Sequence, residues 1–194
     1  MNVYDAIKSR RTVRSFRQEP IDRESIIKMI DAARVSPSAG NIQSLKYVII
    51  DLLDERKAIF PYIKYAGYIA DWNPEFAESP AAFIAVLNDT KIRKTNSSTE
   101  CDCGIAMMSI SLVAAEMGLG SCILGAIDKE SIAKVLNLNS EYEIMYLIGL
   151  GISNQKNTQF DDSDSVKYVM DVSNNFKVPK RKIDDIIVYK IGDK

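Results

Sequence analysis

The chain of 194 residues contains no histidine. That absence excludes every Ser-His or Cys-His catalytic arrangement and every His-based metal site. An enzyme of this composition works with carboxylates, Lys, Tyr or Cys, or takes its chemistry from a cofactor. Cysteine is scarce as well. Cys101, Cys103 and Cys122 are too few for a disulfide framework, and the odd count suits a reducing compartment. Without histidine or a third nearby thiol, Cys101 and Cys103 lack the partners of a zinc site, so no metal is expected. There is no excess charge of one sign: Lys+Arg 25 against Asp+Glu 26 leaves −1. That balance speaks against a general nucleic-acid or acidic-membrane binder. Uninterrupted apolar runs are missing too. The longest apolar region, 105–127, is broken by Glu116, Gly118, Gly120 and Gly125, and reads as a buried helix plus a turn. With no leader-like apolar run at the N-terminus, the expected location is the cytoplasm. No GxxxxGK[ST] occurs, and the cluster "GLGSCILG" follows a helix instead of a strand, the reverse of the dinucleotide-binding order.

What is present is an ordinary 46% apolar content, enough for one core, followed by a polar tail. Residues 2–9 read as a short helix with Val3 and Ile7 on one face. Asp22 is a good N-cap for a helix with Ile26, Ile30 and Ala33 on one side, which Ser36-Pro37 stops. Strands are expected at 46–51, 80–89 and 142–151, the second buried on both faces. The region 54–72 looks helical but holds Pro61 and Gly67, and its aromatics suit a cover as well as a core. The strongest helix runs from about Asp102 to Met117. It carries Ile105, Met108, Leu112 and Ala115 on one face and Met107, Ser111 and Ala114 on another, more apolar surface than one contact needs. Gly118 is a plausible helix stop, "SCILGA" a short strand or turn, and Asp128 a cap for the next helix. After Gly151 the composition turns polar, and 183–190 offers one last strand.

Four stretches carry possible chemistry. "SRRTVRSF" places Arg10, Arg11, Thr12 and Arg14 close together. Alone it reads as a solvated face, with an anion site as the sharper alternative; in a helix Arg10 and Arg14 would share a side. "SPSAGNIQ" (36–43) sets Ser38, Asn41 and Gln43 in a short loop, a group able to pair with the edge of a planar heterocycle. "ECDCG" reads as two spectator cysteines. "VPKRK" (178–182) is a second basic knot in which extended backbone would aim Lys180 and Lys182 the same way.

Taken in order, "SRRTVRSF", "SPSAGNIQ", "AAEMGLGSCILGA" and "VPKRK" resemble the motifs of the FMN-dependent nitroreductase family across nearly the whole chain. The resemblance implies an α+β fold, a central mostly antiparallel sheet flanked by helices. It also implies an intertwined homodimer, with a core over 1–152 and a C-terminal extension over 153–194 that wraps the partner. It further implies that Arg10, Arg11 and Thr12 hold the FMN phosphate together with Lys180 and Lys182, and that Arg14 lies near the flavin N1/O2 edge. Pro37, Ser38, Ala39 and Asn41 would reach the flavin from the partner subunit, with Gln43 supporting their loop. Backbone N–H groups around Leu124 and Gly125 would face N5 and O4. Ser44-Leu45 replaces the Pro-Trp that many members carry after the Gln.

The implied activity is hydride transfer from NAD(P)H through FMN to a nitroaromatic, quinone or similar small acceptor, with no protein side chain as obligatory acid or base. A reductase dedicated to one metabolite, or an FMN-binding redox sensor or carrier with little turnover, is the alternative. Tyr65, Tyr68 and Trp72 could stack on a ring or serve as core.

Overall fold

A computed structural model describes residues 1–69 and 72–188 of the chain. Its centre is a four-stranded antiparallel sheet in the order β1-β2-β4-β3. The strands are β1 (Leu45–Ile50), β2 (Ala82–Asp89), β3 (Gly120–Leu124) and β4 (Tyr142–Gly151). All eight residues of β2 are buried. Its side chains alternate between two cores, Phe83, Ala85 and Leu87 on one face and Ala82, Ile84 and Val86 on the other. A sheet buried on both faces needs continuous apolar strands, which is how β2 and β4 read.

Helices α2 (Arg23–Arg34) and α4 (Ser97–Glu116) cover one face through Ile26, Met29, Ala33, Cys103, Ala106, Met107, Ile110 and Ala114. The other face is covered by α3 (Leu53–Ile59), α5 (Lys129–Val135) and the extended segment after α1 (Val3–Ser9), through Ile59, Ile132, Val13 and Phe16. Asp22 and Asp128 cap α2 and α5 through bonds from Ser25 N and Ser131 N, as their spacing predicts. Gly118, at φ 75°, ends α4 in the left-handed conformation that favours glycine.

Helix α4 begins five residues before the expected Asp102. Asn96 accepts from Ser98 N and Thr99 N, while the Thr99 hydroxyl accepts from Asn96 N. This capping box lies in "TNSST", which composition alone marks as loop. The buried stripe of α4 runs through Thr99, Asp102, Cys103, Ala106, Met107, Ile110, Ser111 and Ala114. Ile105, Met108, Leu112 and Ala115, the other apolar face, are only half-buried within one chain.

The tail differs from expectation. Residues 158–180 form a second, three-stranded sheet packed on their own chain: β5 (Thr158–Asp161), β6 (Val169–Met170) and β7 (Phe176–Lys180), in the order β5-β7-β6. Phe176 is fully buried in the same core as Phe83. The strand expected over 183–190 is absent from its described part. Ile183–Ile186 is instead the short helix α6, and positions 189–190 lie outside the described residues. The apolar spacing there is i, i+3, and Asp184 and Asp185 fall in the first turn, where the helix dipole favours acids.

Candidate functional site

The arginine segment is extended, not helical. Helix α1 stops at Ser9, and Arg10 has φ −59° and ψ 141°. The chain then runs along the β3 edge, where Thr12 bridges Ser121 and Val13 N donates to Ser121 O at 3.0 Å. Glycines make this approach possible. A Cβ on Gly120 would sit 2.7 Å from Val13 Cγ2, and one on Gly151 would sit 2.9 Å from Phe16 Cδ1. Gly120 and Gly151 are themselves register partners across β3 and β4. Two bare backbones side by side thus form the bed on which residues 12–16 lie. A shared helical side for Arg10 and Arg14 therefore does not arise.

Arg10, Arg11, Thr12 and Lys180 line one cleft of about 670 Å³. Lys8 and Arg181 join them, and Asp161 is the one acidic residue among its lining. Lys182 is not part of this lining; it precedes α6. The Arg10 guanidinium is pushed below its ordinary pKa, first by burial and then by the adjacent Arg11 charge. Among the described residues no ion pair involves Arg10, Arg11 or Lys180. Arg11 spends part of its fork on neighbouring backbone, donating to Lys8 O at 2.6 Å and Arg10 O at 2.8 Å. The buried Nε atoms of Arg10 and Arg11 have no partner. Two half-buried cations with unused donors are relieved by a bound anion, and guanidinium forks suit phosphate oxygens.

Arg14 is fixed from the tail. Its N–H donates to Gln155 Oε1 at 2.8 Å, and its Cζ lies 4.8 Å from the Tyr168 ring centroid and 4.7 Å from that of Phe176. Trp72 packs edge-on to Phe176 and Tyr68 to Tyr168, with centroids 5.3 and 5.1 Å apart. The aromatics of region 54–72 and those of the tail thus meet around one guanidinium. Tyr65 is buried with an unpartnered hydroxyl, and burial holds its pKa far above the usual phenol value. Asn157 ties the tail to Thr12, donating to its carbonyl at 2.8 Å and accepting from Phe176 N at 2.7 Å. Nothing in the sequence marks Gln155, Asn157 or Tyr168 for these contacts, because each pairing joins positions 100 or more apart or joins the tail to itself.

The polar loop lies elsewhere. Pro37, Ser38 and Gln43 line a separate cleft of about 380 Å³ with Tyr47, Asp102 and Ala106. Ala39–Asn41 forms a single 3-10 turn. Gln43 Nε2 donates to Asn41 Oδ1 at 3.0 Å and Asn41 O at 3.2 Å. This loop feeds β1, one edge of the sheet, whereas the arginines border β3, the opposite edge. Three strand spacings, about 14 Å, separate those edges. Leu124 ends β3 buried, and Gly125 follows it on the surface, where a Cβ would stand 3.3 Å from the Tyr146 ring.

The nitroreductase family profile matches residues 7–152, which contain the arginine segment, the polar loop and the whole four-stranded sheet. The chain belongs to the nitroreductase family. A relative from Methanothermobacter thermautotrophicus, provisionally named an NADH dehydrogenase/NAD(P)H nitroreductase, is 30% identical over 128 residues, 64% of this chain and 61% of that protein. The chain thus spans about three fifths of that relative's length. The FMN reductase (NADPH) of Bacillus subtilis is 25% identical over 171 residues, 80% of this chain and 67% of that one. Among solved structures, a nitroreductase family protein from Streptococcus pneumoniae TIGR4 superposes with a TM-score of 0.72 at 17% identity, covering 97% of this chain and 100% of that one. The nitroreductase fold therefore extends through the tail. Among the described residues no helix is long and apolar enough to cross a membrane, and no three His, Cys, Asp or Glu residues group to hold a metal.

Proposed function

We propose that this nitroreductase-family chain is an FMN-dependent oxidoreductase that passes hydride from NAD(P)H to a nitroaromatic, quinone or similar small acceptor, as a cytoplasmic homodimer. The observation that carries the reading is the cationic cleft of Arg10, Arg11, Thr12 and Lys180, with its unpartnered Nε donors and single acidic neighbour. Those residues fit the phosphate of FMN, and Lys182 is assigned to the same anion as a flanking charge. The names of the Methanothermobacter and Bacillus relatives support the reductant and the flavin.

FMN supplies the hydride-accepting and hydride-donating chemistry when bound. The chain's own part is to bind, orient and tune. Arg10 and Arg11 neutralise phosphate charge. Arg14, oriented by Tyr168 and Phe176, presents a fixed cation that favours an electron-rich partner. Leu124 and Gly125 offer backbone donors at the end of β3, where Gly125 adds no side chain of its own beside the Tyr146 ring. Pro37, Ser38, Ala39, Asn41 and Gln43 serve the site of the partner subunit, because within one chain their loop and the arginines occupy opposite sheet edges. The half-buried face Ile105, Met108, Leu112 and Ala115 of α4 supports burial against that second copy. The C-terminal extension, 153–194, is assigned to wrap the partner subunit.

The reading is tested on the purified protein. Flavin absorbance bands, release of FMN on unfolding, and bleaching on anaerobic mixing with NADH or NADPH are expected. A protein that stays colourless after FMN addition overturns the cofactor assignment. One that binds FMN but is not bleached by either nucleotide is a flavin carrier or sensor instead. Mixing Arg10→Ala and Asn41→Ala homodimers tests the shared site. Random subunit exchange of equal amounts should restore about a quarter of all FMN sites, because about half of the dimers become mixed and one of the two composite sites in each then has both native halves.

A further inference from the structure

The Ser36–Gln43 loop is held in an uncommon backbone shape. Gly40, Asn41 and Gln43 all have positive φ, at 62°, 53° and 55°. Two of these are not glycine, and the left-handed conformation is sterically unfavourable for residues that carry a Cβ. Backbone strain of this kind persists only where surrounding contacts over-determine it. The structure shows what does so. Arg93 Nη1 pairs with Asp102 Oδ2 at 3.0 Å, with side chains only 9% and 2% exposed. The free ends of that pair grip one residue from both sides. Ala39 N donates to Asp102 Oδ1 at 2.8 Å, and Arg93 Nη2 donates to Ala39 O at 2.5 Å. Arg93 is itself anchored, since Asn88 Nδ2 donates to its carbonyl at 2.9 Å.

We infer that the buried Arg93–Asp102 pair is a positioning device for the Ser38–Asn41 loop, holding it in the form that meets the flavin. The inference rests on the FMN reading above for its ligand, but not for its geometry. A buried ion pair is a poor source of net stability, because desolvation offsets much of the attraction. Its place beside a strained loop is explained by the two bonds to Ala39. Arg93 reaches the loop from the β2–α4 connection and Asp102 from α4, so the sheet and the central helix jointly set where Ala39 sits. Neither residue touches the arginine cleft.

The test separates positioning from stability. Arg93→Met/Asp102→Leu removes both charges together and keeps volume, a change that is often neutral or stabilising to a fold. The expected result is an unchanged or raised melting temperature, at least tenfold weaker FMN binding by fluorescence quenching, and faster amide exchange at Ala39, Asn41 and Gln43. Arg93→Lys keeps the charge but loses one prong; it should fall between wild type and the double variant in both binding and exchange. FMN affinity within threefold of wild type, or unchanged exchange at those amides, overturns the inference. If the wild-type protein itself fails to bind FMN, the functional reading fails, and the exchange measurement still decides whether the pair holds the loop.

Discussion

The two sheets of this molecule are built in opposite ways. The four-stranded sheet has apolar side chains on both faces, and β2 is buried throughout. The three-stranded sheet leaves Phe160 and Val169 about half exposed and is joined to the body by the buried ring of Phe176, by Tyr168 against Arg14 and Tyr68, and by side-chain bonds from Gln155 and Asn157. The first sheet is the core. The second is an attachment whose sequence supplies a plug, a second aromatic and two polar ties. The site draws on both: Arg10, Arg11 and Thr12 lie along the large sheet, and Lys180 comes from the small one. Such an attachment can change length and composition among relatives without disturbing the core that positions the arginines.

That contrast predicts unequal responses to the same cut. Phe83→Ala should lower global stability by about 3–5 kcal/mol, the usual cost of emptying a buried aromatic site. Phe176→Ala, also at a fully buried position, should cost less in global unfolding while sharply raising amide exchange over 158–180, because the small sheet can open by itself. Equal losses without selective exchange would show the two sheets to be one cooperative unit.

Cation removal sharpens the comparison at the site. Arg10→Ala should weaken FMN binding by about 1.5–3 kcal/mol, the range for a hydrogen bond to a charged group. Lys180→Ala, at an exposed position on the small sheet, should cost about 1 kcal/mol or less, as solvent-screened pairs do. Equilibrium titration of both variants with FMN checks the order, and a larger effect at Lys180 would reverse the assignment of the principal clamp.

The smallest effect is chemical. Burial raises the Cys122 thiol on β3 to about 11, against the lowering influence of Arg14 and Arg10, and raises Cys103 to about 12. Both are then neutral thiols at pH 8, whereas Cys101 is exposed. A thiol reagent should therefore modify one cysteine quickly in the folded protein and three after unfolding. Rapid modification of Cys122 would show that the large sheet opens at β3.

Much of the large sheet was legible. Asp22 and Asp128 announce their helices, the run 142–151 its strand, and Gly118 its helix end, because each signal is local and short in range. The start of α4 was missed because Asn96 and Thr99 look like loop residues until both halves of their box are seen together. The last strand was misplaced because an i, i+3 pattern beside two acids favours a turn of helix. In the site, the basic and polar motifs stood out by residue type. The Arg93–Asp102 pair did not: Arg93 lies in a polar stretch, and the one available signal was Asp102, an acid placed between two cysteines on a helix apolar on most sides.

The sequence by itself narrowed the class of chemistry. With no histidine it left carboxylates, Lys, Tyr, Cys or a cofactor as the means of catalysis, and its four ordered motifs resembled the family that the profile match shows, which is what implied the flavin. Only the tertiary structure decided which residues share a cleft. It placed the arginines and the polar loop at opposite edges of one sheet, folded 158–180 back over Arg14, and set Arg93 and Asp102 around Ala39. The reason is physical. Residue type fixes what a group can bind, whereas contacts between residues distant in the chain depend on strand order and helix packing, which no local pattern encodes.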